Sequence, residues 1–180
     1  VTTFDNRGVG RSSTPDGPFA IADFAADTVA LMDELGLERP HVVGSSMGGA
    51  IAQELVLAHP GRVRSLVLNG TWCRGDRFLH EIFRSWIWAA QKADSIRDFL
   101  VAVNLWCFAP RIWNDGTMDG WLDDAAASQH PQEVDAFCRS AEALIGHDTA
   151  DRLGDAHGAV GHIQGDERGR AGGYRAHQKR

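Results

Sequence analysis

The sequence predicts an α/β fold built on a parallel sheet, and three observations predict it. Short apolar runs at residues 1–5, 41–43 and 63–69 have the length and β-branched content of buried strands. Longer runs with helical spacing, residues 21–35 and 50–59, separate them. The turn Gly44-Ser45-Ser46-Met47-Gly48 joins the second strand directly to the second helix. Strands and helices alternating in this order give a parallel sheet, whose right-handed crossovers place helices on its faces and the functional site at the carboxyl ends of its strands.

In chain order, residues 1–5 end a strand, and Asp5-Asn6-Arg7-Gly8-Val9-Gly10-Arg11-Ser12 follows as a loop dense in glycine and short polar residues. This loop is not a dinucleotide fingerprint. Ser13 stands where a third glycine is needed, and Thr14-Pro15-Asp16-Gly17-Pro18 continues the loop where a helix would have to begin. Ile21, Phe24, Ala25, Thr28, Leu31, Met32 and Leu35 then recur every three or four positions, which predicts a helix with one buried face, closed by Gly36. His59-Pro60 ends the second helix, and Leu66-Val67-Leu68 centres a strand that is apolar without interruption, as strands buried on both faces are.

A bare G-x-S-x-G is a weak pattern, but the strand before it and the helix after it make it a nucleophile elbow that presents the Ser46 hydroxyl at a helix N-terminus. Such a serine needs φ above zero. Gly44 and Gly48 lack the Cβ atoms that would collide there, and Gly49 lets the helix pack closely.

From Trp72 the character changes: all six tryptophans lie between Trp72 and Trp121, and helical patterns replace strands. Phe78, Ile82, Phe83, Trp86, Ile87 and Ala90 keep a 3.6-residue period, Ser95-Ile96-Arg97-Asp98 resembles a capping box opening a helix that runs to Trp106, and residues 134–145 form a third helix. The division expected is a core over residues 1–71, a helical lid over 72–150 and a tail over 151–180.

Two motifs carry a resemblance. Phe4, Asp5, Arg7, Gly8, Gly10 and Ser12 match F-D-x-R-G-x-G-x-S, and Gly44, Ser46, Gly48 and Gly49 match G-x-S-x-G-G, so residues 1 to about 72 resemble the middle of an alpha/beta-hydrolase fold protein. The branch most resembled is that of esterases and 3-oxoadipate enol-lactonases. The resemblance implies Ser46 as nucleophile, the backbone N–H of Met47 as an oxyanion donor, Asp5 and Arg7 as loop-fixing residues, and a helical cap over the nucleophile. Among Trp72, Trp86, Trp88, Trp106 and Trp113, lining a pocket and packing the cap are both open roles.

The resemblance also implies an acid and then a histidine after the serine. Residues 159–168 instead have a broken apolar run, with Arg168 where the acid belongs and Asp166 displaced from it, and His177 follows too soon. The family's His-Gly oxyanion loop would precede Asp5. These departures imply a partial alpha/beta-hydrolase fold without its first strands and its acid and histidine region. Residues 154–180, rich in glycine and arginine with Tyr174 the only aromatic, have the composition of a disordered or frame-shifted tail. His157, His162 and Asp166 match no zinc spacing, so no metal or other cofactor is expected.

With 43% hydrophobic residues and no apolar run near eighteen residues, the chain is expected to be soluble, with no membrane partner and no visible signal peptide. A formal net charge of −6 argues against nucleic acid despite the arginines of the tail. Cys73, Cys107 and Cys138 are odd in number and unpatterned, which fits a reducing cytoplasm. The expected partner is a small ester or lactone, hydrolysed through an acyl-enzyme on Ser46. A cofactor-free haloperoxidase-like or carbon–carbon bond hydrolase would use the same constellation, and a non-catalytic, degenerate product remains the alternative of another class.

Overall fold

The computed structural model describes residues 1–155 and 163–164. They fall into two compact units, one of Val1–Pro18 with Asp76–Ile145, the other of Phe19–Gly75 with Gly146–Arg180.

The sheet belongs to the second unit. Strands β1 (His41–Ser45) and β2 (Ser65–Asn69) pair in parallel, with Val43 opposite Val67 and Gly44 opposite Leu68, and the two-residue β3 (Ile163–Gln164) adds to β2 in parallel. Helix α2 (Met47–Ala58) packs on the sheet, and α1 (Ile21–Glu34) packs on α2. Held between these layers, α2 buries Ala50, Ile51, Ala52, Gln53, Leu55 and Val56, most of its circumference.

Helix α1 begins as its sequence directs, with the Asp23 carboxylate accepting the Ala20 N–H at 2.8 Å. It ends in a Schellman motif: Gly36, at φ 63°, donates to Asp33 O and Leu37 donates to Met32 O. Ile21, Phe24, Ala25 and Met32 are buried, while Leu35, expected on the same stripe, is the C-cap and exposed.

Two expectations are corrected. Leu66 and Leu68 are buried, but Val43 and Val67 are 72% and 41% exposed, so these strands bury one face and not both. Alternate residues of a strand point to opposite faces, and an unbroken apolar run cannot say which face is covered. Residues 1–5 form no strand and are exposed, because a strand exists only where a neighbouring backbone takes up its N–H and C=O groups, and among the described residues none does.

The first unit is helical, with α3 (Arg77–Lys92), α4 (Ile96–Asn104), α5 (Pro110–Asn114), α6 (Thr117–Ala126) and α7 (Val134–Ile145). Asp76 caps α3 by accepting the Leu79 N–H, and Ser95 caps α4 by accepting that of Asp98. Helix α3 packs against α7 and α4, and α6 against α4 and α5, around Phe83 and Leu122. Arg97 joins α4 to α6 through Asp119 and Asp123. Arg139 on α7 donates to Pro15 O at 2.6 Å and Gly17 O at 2.9 Å, fixing the loop that follows the Asp5 motif.

The sequence named α3, α4 and α7. It missed α5 and α6, whose signals are Pro110 at the start of one and the buried i, i+4 pair Met118 and Leu122 in the other. No described helix is long and apolar enough to cross a membrane. His157, His162, Asp166, Arg168, His177 and most of the expected tail lie outside the described residues.

Candidate active site

Ser46 joins β1 to α2 at φ 52° and ψ −120°, and it is the only non-glycine residue with positive φ among those described. That conformation costs an L-residue about 1–3 kcal/mol and persists only where its surroundings enforce it. The enforcement is visible. The Ser46 N–H donates to Asn69 O at 3.0 Å, closing the end of the β1–β2 ladder, and the Ser46 carbonyl accepts the Gly49 N–H at 2.9 Å as the helix begins. The backbone is thus held from both sides, while the exposed side chain makes no helix-capping bond.

A helix N-terminus carries about half a unit of positive charge, and its first N–H groups have no acceptor within the helix. Met47 is the first residue of α2, so its N–H is such a group, one position beyond the serine. An oxygen that gains negative charge beside Ser46 meets a dipole already oriented towards it.

The glycines divide by role. A Cβ on Gly44 would come within 2.7 Å of the Gly48 carbonyl carbon and 2.8 Å of the Gly49 Cα, backbone atoms that cannot move aside. Gly48, expected to be needed for the same reason, has nothing within 4 Å of its Cβ position, because that position faces away from the turn's crowded side. At Gly49 a Cβ would strike the Thr71 side chain, 2.6 Å from its Cγ2. Gly49 therefore clears room for Thr71, a neighbour that the sequence did not reveal.

The Asp5 motif builds its own loop. Asp5 Oδ2 accepts the Arg11 N–H at 3.1 Å, the Ser12 hydroxyl donates to the Asp5 carbonyl at 2.6 Å, and a Cβ on Gly10, at φ 56°, would overlap the Asp5 carboxylate. Among the described residues no histidine hydrogen-bonds to Ser46. His41 meets the Ser65 hydroxyl at 2.7 Å, and His59 is the C-cap of α2.

Sequence reasoning also missed a buried polar cluster on the far turns of α2. Gln53, 2% exposed, donates to Trp72 O at 2.9 Å and accepts the hydroxyl of Thr149, itself 0% exposed, at 2.5 Å. Next to it, Glu54 binds Arg152 through both carboxylate oxygens, and His147 Nδ1 lies 4.0 Å away with its ring fully buried. Burial lowers the His147 pKa, against the pull of Glu54, so the ring is neutral at pH 7. Arg74 holds Asp148 below the usual carboxylate range and bonds Asp151 as well. The cluster ties residues 146–152 to α2 and to the segment after β2. Its one sequence signal was Gln53-Glu54 in the middle of an apolar helix.

Comparison with known proteins adds a family. A model described as alpha/beta hydrolase fold matches residues 1–96. The chain is similar to a protein of Azorhizobium caulinodans named carbamate hydrolase RutD, 32% identical over 157 residues, 86% of this chain and 58% of that protein. It is 47% identical over 75 residues to a Mycobacterium tuberculosis protein named non-heme bromoperoxidase BpoC, 42% of this chain and 28% of that one. The enol-lactonase from Burkholderia xenovorans superposes with a TM-score of 0.70 at 21% identity, covering 89% of this chain and 70% of that one, a likeness of fold. The chain thus spans under two thirds of the length of the curated relatives it matches.

Proposed function

This chain belongs to the alpha/beta hydrolase fold family, and from that premise we propose that it is the elbow-bearing part of a serine hydrolase acting on small carboxylic esters or lactones. Ser46 attacks the carbonyl carbon, the Met47 N–H stabilises the oxyanion, the leaving alkoxide departs as alcohol with the serine proton, and water hydrolyses the acyl-serine to the acid, returning a proton to Ser46 Oγ. The observation that carries this reading is the positive φ of Ser46 at a strand-to-helix turn, with its hydroxyl unspent on capping. A serine with no chemical role would not need a strained backbone there. The name of the Azorhizobium relative extends the reading to carbamates, whose carbonyl presents the same electrophile.

The test is a panel of p-nitrophenyl esters, aliphatic lactones and aryl carbamates. A burst of one p-nitrophenol per chain, absent in Ser46→Ala, supports the acyl-enzyme. Turnover that survives Ser46→Ala refutes it. The kinship to a protein named as a bromoperoxidase favours a second reading, peroxide-dependent bromination without a metal, which bromide-dependent halogenation in the absence of ester would support.

A further inference from the structure

We propose that Thr71 is a positioning residue for Ser46, acting through the shape of its side chain against Gly49. The inference rests on the reading of Ser46 as nucleophile. Three contacts carry it, made by the last residue of β2 and the residues that follow it. Asn69 O accepts the Ser46 N–H at 3.0 Å, the Thr71 side chain fills the space that a Cβ on Gly49 would take, and Trp72 O accepts from Gln53 Nε2 at 2.9 Å. Residues 49 and 53 fall on one face of α2 by helical spacing, and Ser46 stands at the N-terminal end of that helix. The segment therefore runs along that face from the nucleophile inward.

Gly70, at φ 54°, makes the turn that brings Thr71 back over the helix after the ladder closes at Asn69. The Thr71 hydroxyl is buried and has no hydrogen-bond partner among the described residues. Its contribution here is accordingly steric: a β-branched side chain with a stiff χ1 that sets the distance between the end of β2 and the first turn of α2. Ser46 joins β1 to that first turn and donates its N–H to the end of β2, so the separation Thr71 sets bears on both bonds that hold its backbone.

The experiment uses the full chain and four variants: Thr71→Val, Thr71→Gly, Gly49→Ala and Gly49→Ala with Thr71→Gly. The readouts are kinact and KI for a fluorophosphonate on Ser46, and hydrogen exchange of the Ser46 amide. Thr71→Val keeps the shape and should keep both. Thr71→Gly should lower kinact by about tenfold with KI unchanged and speed Ser46 amide exchange by a similar factor, the scale expected for a reacting group displaced by a fraction of an ångström. Gly49→Ala should lower kinact further, with partial recovery in the double variant.

If Gly49→Ala does not fold, the Thr71→Val and Thr71→Gly pair decides alone. Wild-type kinact and amide exchange in Thr71→Gly, or a loss in Thr71→Val as large as in Thr71→Gly, overturns the proposal. If the wild-type chain never labels, the hydrolase reading fails, and amide exchange still decides whether Thr71 holds Ser46.

Discussion

Replacing Ser46 by glycine should stabilise the chain, and replacing it by alanine should not. The native φ of 52° and ψ of −120° lie in a region that glycine enters freely and L-residues do not. Alanine keeps the Cβ and hence the strain, and the side chain makes no capping bond to lose, so Ser46→Ala should stay within about 0.5 kcal/mol of wild type. Glycine relieves about 1–3 kcal/mol of strain and gives back about 0.5–1 kcal/mol in the entropy of the unfolded chain, for a net gain of roughly 0–2.5 kcal/mol, centred at about 1 kcal/mol. With a urea m-value of about 2 kcal/mol/M, a gain of 1 kcal/mol moves the midpoint up by about 0.5 M. Urea unfolding of the two variants, followed by tryptophan fluorescence, measures the difference. A Ser46→Gly midpoint at or below that of Ser46→Ala would refute the claim that the turn stores strain at its serine.

Three further outcomes follow from the same unit. Gln53→Ala should cost about 2–4 kcal/mol in a urea melt, because it removes the Gln53 bond to the Trp72 carbonyl, leaves the Thr149 hydroxyl without its closest partner, and opens a cavity. Gly44→Ala should prevent the elbow from closing, seen as a lost cooperative transition, whereas Gly48→Ala should melt within about 1 kcal/mol of wild type, its Cβ position being open. His147, with a folded pKa lowered below 6.5 by burial, binds fewer protons folded than unfolded, so its contribution to stability is present above pH 6.5 and lost as the pH falls through the folded value. Glu54, Asp148 and Arg152 are the charges that act on the ring. His147→Gln should flatten the fall in stability below pH 6.5, measured as urea midpoints at successive pH values, and an unchanged slope would remove the histidine from the account.

The sequence was most legible where a backbone constraint forces particular residue types. A strand running into a helix with no room for a Cβ at residue 44 demands glycine, and the elbow could be read from that. Gly36 and the cap Ser95 were readable because each terminus has unpaired groups that few residues satisfy. Partners distant in the chain left no such mark. Thr71 beneath Gly49, and Thr149 on Gln53, depend on how β2 and residues 146–152 come to lie on α2, which no local period encodes. Burial of a single sheet face escaped for the same reason: Val43 and Val67 are as apolar as Leu66 and Leu68, and only the placement of α2 tells them apart.

The central claim is that Ser46 is a nucleophile, and covalent labelling tests it most directly. The chain, shown to be folded by a cooperative melt, is incubated with a fluorophosphonate, and the adduct is mapped by peptide mass spectrometry. Labelling should fall on Ser46 alone and vanish in Ser46→Ala. A folded chain that takes up no label, or takes it up elsewhere with Ser46 unmodified, would contradict the account.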